Sequence, residues 1–282
     1  MKNPNNVLQT VGVLSISLML TSSQAINGVI PQMKEALNIS QSQSELLGTA
    51  PSITVILFIL LSSYVADKLG MRKTIIIGLL LAGIGGILPV FVANFPIVLI
   101  SRIILGAGLG LYNSLAVTYI SALYTGNARA SLLGMRSSME AIGQTVLIFL
   151  AGILVNISWT ASFSVYALAF PIALLFALRV PEVKIEKSES GSVKEKMNPA
   201  VYALVLFVIL LVMNSIAISV RFSSIVTEIN GSAFNASNYL ALMPILGIAA
   251  GFIFGAVNRT FGNKTMYLGI GFFILSNVFI AM

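Results

Sequence analysis

Apolar side chains in this chain run in long blocks, separated by short polar or turn-forming stretches. A block of about 18 or more apolar residues can cross the hydrocarbon core of a bilayer as a helix. Nine such blocks are read, at roughly 7–30, 47–66, 74–93, 97–123, 130–155, 159–178, 200–221, 239–257 and 265–282. The breaks carry turn chemistry, as in Asn94-Phe95-Pro96 and Asn156-Ile157-Ser158-Trp159. The first block is too long for a signal-peptide core and contains Ser15, Ser17, Gln24 and Asn27, so a retained helix is expected there. The fold class expected is an all-α polytopic membrane protein with nine spans.

Composition agrees and removes other functions. Charged residues make up 9% and hydrophobic residues 57% of the 282 positions, whereas a soluble domain is about a quarter charged. That excludes a soluble enzyme with a solvated exterior. Cysteine and histidine are both absent, which removes thiolate chemistry, the common zinc sites and the usual near-neutral proton carrier. Proton handling would then fall to carboxylates. No metal motif, cofactor motif or nucleophile–base constellation is visible, so no catalytic residue, metal ligand or cofactor is assigned.

Basic residues set the orientation, because they accumulate on the cytoplasmic side. With the N-terminus inside, that side receives Lys2, Lys68, Arg72, Lys73, Arg129, the five basic residues of segment 179–198, Arg259 and Lys264. The outer side receives Lys34 and Arg221, while Arg102 and Arg136 lie within spans. Twelve against two places the N-terminus in the cytoplasm. The same bias explains the net charge of +7, so no nucleic-acid partner is needed. Membrane lipid is the expected surrounding, in a bacterial cytoplasmic membrane.

Segment 179–198 holds 9 of the 25 charges and is expected to be a mobile cytoplasmic linker. It separates 1–178, with six spans, from 199–282, with three. The sides share landmarks in the same order: Asn38-Ile39-Ser40 and Asn235-Ala236-Ser237, Pro51 and Pro244, then Lys73-Thr74 with Gly78 and Lys264-Thr265 with Gly269. This order points to a parallel duplication, a recurring plan of secondary transporters whose substrate sites lie between the repeats.

After the second span the chain reads Ser63-Tyr64-Val65-Ala66-Asp67-Lys68-Leu69-Gly70-Met71-Arg72-Lys73. This resembles the major facilitator superfamily loop signature G-x-x-x-D-R-x-G-R-R, with Ser63 replacing the first Gly and Met71 interrupting the basic pair. The resemblance implies a gating role for Asp67, Lys68, Gly70, Arg72 and Lys73. A degenerate copy, Gly255 to Lys264, carries Arg259 at the Asp position. In the fourth span, Arg102 with Gly106, Gly108 and Gly110 resembles the second signature, R-x-x-x-G-x-G. The glycines suit close helix packing in lipid. Arg102 shares a helical face with Gly106 and Asn113; it either faces a cavity or snorkels outward.

Glu140 lies near the middle of the fifth span, with Arg136 and Gln144 one turn to either side. It is either a proton-exchanging or cation-meeting carboxylate, or half of a structural Arg136–Glu140 pair. The Gly-Pro of the family's antiporter signature is missing here, since Gly143 is followed by Gln144. By family analogy Gln24, Asn27 and Asn214 would face the cavity, or serve as interhelical hydrogen bonds. Trp159 and Tyr166 read as interface and packing aromatics.

The resemblance covers essentially the whole chain. It implies secondary active transport of a small, cationic or amphipathic, solute by alternating access. A proton-coupled efflux carrier leads, followed by an uptake permease; a non-transporting sensor or degenerate fragment is the reading from another class. Such carriers have two six-helix halves, so three further helices are expected beyond Met282 in the full-length protein.

Overall fold

In the computed structural model the described residues are 7–183, 199–230, 236–261 and 264–281, and they form helices with short connections. The elements are α1 (Val7–Ser15), α2 (Ile30–Leu37), α3 (Gln41–Leu69), α4 (Met71–Phe91), α5 (Phe95–Leu123), α6 (Gly126–Leu154), α7 (Ala169–Arg179), α8 (Pro199–Asn230), α9 (Ala236–Leu240), α10 (Leu242–Phe261) and α11 (Thr265–Ala281). Among the described residues, seven helices are long and apolar enough to cross a membrane. The last two expected spans correspond to α9–α10 and α11, whose described apolar stretches are shorter.

Local chemistry explains the boundaries. Ser40 and Gln43 form a reciprocal capping box that starts α3. Asn94 Oδ1 accepts the Ile97 amide at 3.0 Å to start α5, with Pro96 in its first turn. Gly70, at φ 90°, turns the chain between α3 and α4.

The first span departs from the single helix expected. It extends from Val7 to Leu37, and between α1 and α2 it passes through 3-10 turns at Ile16–Met19, Ser22–Gln24 and Asn27–Val29. Amides of Gln24 and Val29 accordingly bond three residues back, to Thr21 and Ile26. The sixth span likewise opens with a 3-10 stretch, Ala161–Leu168, before α7.

The core lies among the first six spans, built from residues such as Ile26, Leu47, Leu105, Tyr112, Phe163 and Phe176. Large apolar side chains also point outward, among them Leu60, Phe91 and Leu178, as expected of helices solvated by lipid. The glycine stripe of α5 serves two neighbours. Cβ atoms at Gly106 and Gly110 would strike the α3 backbone at Pro51 and Val55, and one at Gly108 would strike α4 at Gly78 and Ala82.

The second half meets the first along two seams. In one, α6 lies against α9 and α10; in the other, α8 lies against α2, α3 and the Asn27–Val29 turn. The repeat landmark Asn235, positions 262 and 263 of the second loop copy, and segment 184–198 of the linker lie outside the described residues. The described start of the linker, 179–183, is packed: Val180 is buried, and Pro181 O accepts the Tyr119 hydroxyl.

Candidate functional site between the halves

Polar side chains are scarce in these helices, and the structure gathers several of them where the halves meet. Gln144 Nε2, on α6, donates to Gln24 Oε1 in the first span at 2.7 Å. Gln24, Asn27 and Gln144 line one side of a small cleft, whose remaining walls are Ile148 and, from the second half, Leu240 and Met243. Asn27 is 3% exposed, and its buried Oδ1 has no hydrogen-bond partner among the described residues. An unpaired buried acceptor beside an inter-half cleft is poised for a donor from a ligand or water. Three residues separated in sequence are thus brought into one place.

One turn below lies the charged pair. Arg136 Nη1 and Glu140 Oε2 are 3.3 Å apart along α6, with side chains 14% and 29% exposed. Glu140 is the middle residue of this 29-residue helix, which places it at mid-depth of the span. Arg136 Nε is buried and makes no hydrogen bond among the described residues, so the pair leaves donor capacity unused there. Thr21 Oγ1 donates to the Glu140 backbone carbonyl at 3.4 Å, and Gly143 permits close approach of α6 to Leu18. The backbone around the pair is therefore fixed against the first span.

Arg102 is placed differently from expectation. It neither faces an open cavity nor snorkels, being fully buried in the first half. Its Nε donates to Leu47 O at 3.1 Å, its Nη1 to the Tyr166 hydroxyl at 2.8 Å, and its Nη2 to Ser23 O. Tyr166, read from the sequence as a packing aromatic, is thereby a polar partner as well. Asn113 is half-buried on α5. Asn214 is half-buried on α8 with Nδ2 unpartnered, and it does not line the cleft of the two glutamines.

At the cytoplasmic end, the loop signature surrounds the Gly70 turn. Met71 is buried, which accounts for an apolar residue between basic ones, while Lys73 is exposed. Lys68 Nζ stands 4.5 Å from the Tyr64 ring centroid. The Arg72 amide, in the first turn of α4, donates to Glu182 Oε1 at 3.3 Å, and its guanidinium holds Ala177 O. A carboxylate at this helix N-terminus is favourably placed against the helix dipole. Asp67 is exposed on the last turn of α3.

A network that sequence reasoning missed joins α3 and α8 at the opposite end. Glu45 Oε1 of α3 meets Arg221 Nε of α8 at 2.8 Å. Gln41 Nε2 donates to the same Glu45 oxygen at 2.9 Å and to Ser224 Oγ at 3.3 Å, while Lys34 Nζ donates to Gln41 Oε1 at 2.9 Å. Beside it opens a cavity of about 760 Å³ whose walls include Lys34, Glu35, Asn38, Arg221, Ser224 and Glu228. The available signal was a lone carboxylate at the start of the second span and a lone arginine on the outer side.

Comparison with known proteins gives a consistent answer. A family model described as Major Facilitator Superfamily matches residues 12–282. The bacillibactin exporter of Bacillus subtilis is 24% identical over 161 residues, covering 54% of this chain and 40% of that protein. The arabinose-proton symporter of the same organism is 27% identical over 125 residues, covering 44% and 27% respectively. The chain thus spans less than half the length of either relative. A solved bacterial homologue of the human lysosomal transporter Spinster, inward-facing and unoccupied, superposes with a TM-score of 0.71 at 16% identity, covering 92% of this chain and 64% of that one. That last likeness is one of fold.

Proposed function

The chain belongs to the Major Facilitator Superfamily, and from that premise we propose that it carries a small solute across the cytoplasmic membrane by alternating access. The observation that supports this most is the inter-half cleft, where Gln24, Asn27 and Gln144 of one half face Leu240 and Met243 of the other. Its amide groups supply donors and acceptors without net charge, and its remaining walls are apolar. In the arrangement observed the cleft holds about 10 Å³, roughly the room for one water. A solute therefore enters only as the halves part, and the lining then suits one that combines hydrogen-bonding groups with an apolar body. Nearby, Arg136–Glu140 offers a cationic or amphipathic solute a carboxylate to meet.

In this reading the halves rock about the cleft. The Glu45–Arg221 contact, with Gln41 and Ser224, is the outer closure, broken when the outer side opens. The Asp67–Lys73 loop is the corresponding cytoplasmic element, with Gly70 as its turn and Arg72 tied to the end of α7. Glu140 is the proton-coupling group: protonation cancels its attraction for Arg136 and frees that guanidinium to find other acceptors. A transported solute then meets a different cleft in each protonation state.

The likeness to the Bacillus exporter supports an efflux carrier, and the likeness to the arabinose-proton symporter supports uptake. Vesicles of both orientations, given an imposed proton gradient and either ethidium or radiolabelled L-arabinose, separate the two. Gradient-driven movement that falls with Gln24→Ala or Gln144→Ala is the expected result. Movement unchanged in both variants would remove the cleft from the pathway. Unchanged proton-driven accumulation in Glu140→Gln would remove Glu140 as the coupling group.

A further inference from the structure

The first span leaves α geometry inside the first half, where Ser22 O accepts the Ala25 amide at 3.0 Å and two carbonyls take side-chain donors as well. Ser22 O accepts the Tyr166 hydroxyl at 3.1 Å, and Ser23 O accepts Arg102 Nη2. Arg102 Nη1 donates to the same Tyr166 oxygen, and its Nε reaches across to α3 at Leu47 O. Arg102, Tyr166 and Ser22 are all fully buried. One guanidinium therefore ties together α5, α3, the Ala161–Leu168 segment and the break in the first span. Gly86 of α4 makes the room, since a Cβ there would overlap the Tyr166 ring.

These contacts land immediately before Gln24 and shortly before Asn27, the first-span residues of the cleft. We propose that Arg102 and Tyr166 are positioning residues that hold the break at Ser22–Gln24 and so aim Gln24 and Asn27 at the second half. An α-helix turns by about 100° per residue and a 3-10 helix by about 120°. Each residue that reverts to α geometry thus rotates the side chains after it by about 20°. A few such residues swing Asn27 off the inter-half face. The role needs arginine in particular, because a planar fork serves three acceptors in fixed directions and a lysine ammonium does not. Charge alone is not what acts here, as all of these acceptors are neutral. The inference rests on the cleft being the solute site, so its test has a readout independent of transport.

The chain contains no cysteine, so Asn27→Cys introduces a single reporter, with Ser42→Cys, exposed on the first turn of α3, as control. In a Tyr166→Phe or Arg102→Lys background, the rate at which N-ethylmaleimide modifies the cysteine at 27 is expected to change about fivefold or more, with the cysteine at 42 unchanged. The Tyr166→Phe protein should keep its thermal midpoint within a few degrees, roughly what one lost hydrogen bond allows. Equal rates at 27 in folded Tyr166→Phe protein overturn the proposal, and this comparison decides alone where Arg102→Lys does not fold. For whichever probe is carried, ethidium or L-arabinose, Tyr166→Phe should raise KM about fivefold and hold Vmax within about twofold. A fall in Vmax at constant KM also overturns it. If Gln24→Ala leaves transport intact while labelling at 27 still responds to Tyr166→Phe, the solute reading of the cleft fails and the positioning of the break stands.

Discussion

Arg102 and Arg136 both lie more than one helical turn inside a membrane span, and their surroundings are opposites. Arg102 is fully buried, and its hydrogen bonds go to backbone carbonyls and a phenol. Arg136 keeps 14% of its side chain exposed, pairs with Glu140, and leaves Nε unused. The first sits within one half, and all of its partners belong to that half. The second sits on α6, the helix that faces α9 and α10 of the other half. A buried cation held by fixed dipoles is a structural element, because releasing it strands charge in a dry interior. A cation paired with a titratable group, by contrast, loses its partner's charge on protonation and is then free to take other acceptors.

Substitutions break or sharpen this contrast. The largest effect is expected from Arg102→Ala, which strips the donors from buried acceptors on three elements. It should cost about 3 kcal/mol or more, against about 1 kcal/mol for Arg136→Ala. Thermal unfolding of the two variants in detergent compares them directly, and equal losses would erase the distinction. Next comes Gly28→Val. A Cβ at Gly28 would overlap the backbone of Ser237 in α9, so the seam cannot close as observed, and transport should fall about tenfold or more. Unfolding temperature should move little by comparison, since the clash lies between halves.

Glu140→Gln preserves shape and hydrogen bonding to Arg136 but removes the titratable charge. Proton-driven accumulation should drop about tenfold while solute exchange without a gradient persists. Loss of both would instead assign the pair a packing role like that of Arg102. The smallest effect is expected at the outer closure. Arg221 has 61% of its side chain exposed, so Glu45→Gln should shift the inward–outward balance by under about 1 kcal/mol, at most about fivefold. Reactivity of a cysteine placed at Ser224 would follow that shift.

Much of the fold was legible from apolar block length alone, because a span must satisfy its own backbone and therefore be helical. The α5 glycines were legible as well, and the structure divides them between α3 and α4. Of the polar candidates, Gln24, Asn27 and Gln144 came together in one cleft, while Arg102 turned inward and Asn214 stands away from that cleft. The outer network escaped notice because Gln41, Glu45 and Arg221 are ordinary polar residues near helix ends. Their significance is that they meet across 176 positions of chain between Glu45 and Arg221.

By itself the sequence determined that this is a multi-pass helical protein, supplied the basis for expecting its N-terminus inside, and carried the signatures that resemble its family. Those properties follow from transfer free energies and charge placement, which are local to each segment. The tertiary structure alone decided where the first span breaks, which acceptors Arg102 serves and that Gln41 and Glu45 meet Ser224 and Arg221. In a bilayer a helix is apolar toward lipid and toward its neighbours alike, so no amphipathic contrast marks the inner face. Only the packed arrangement tells one from the other.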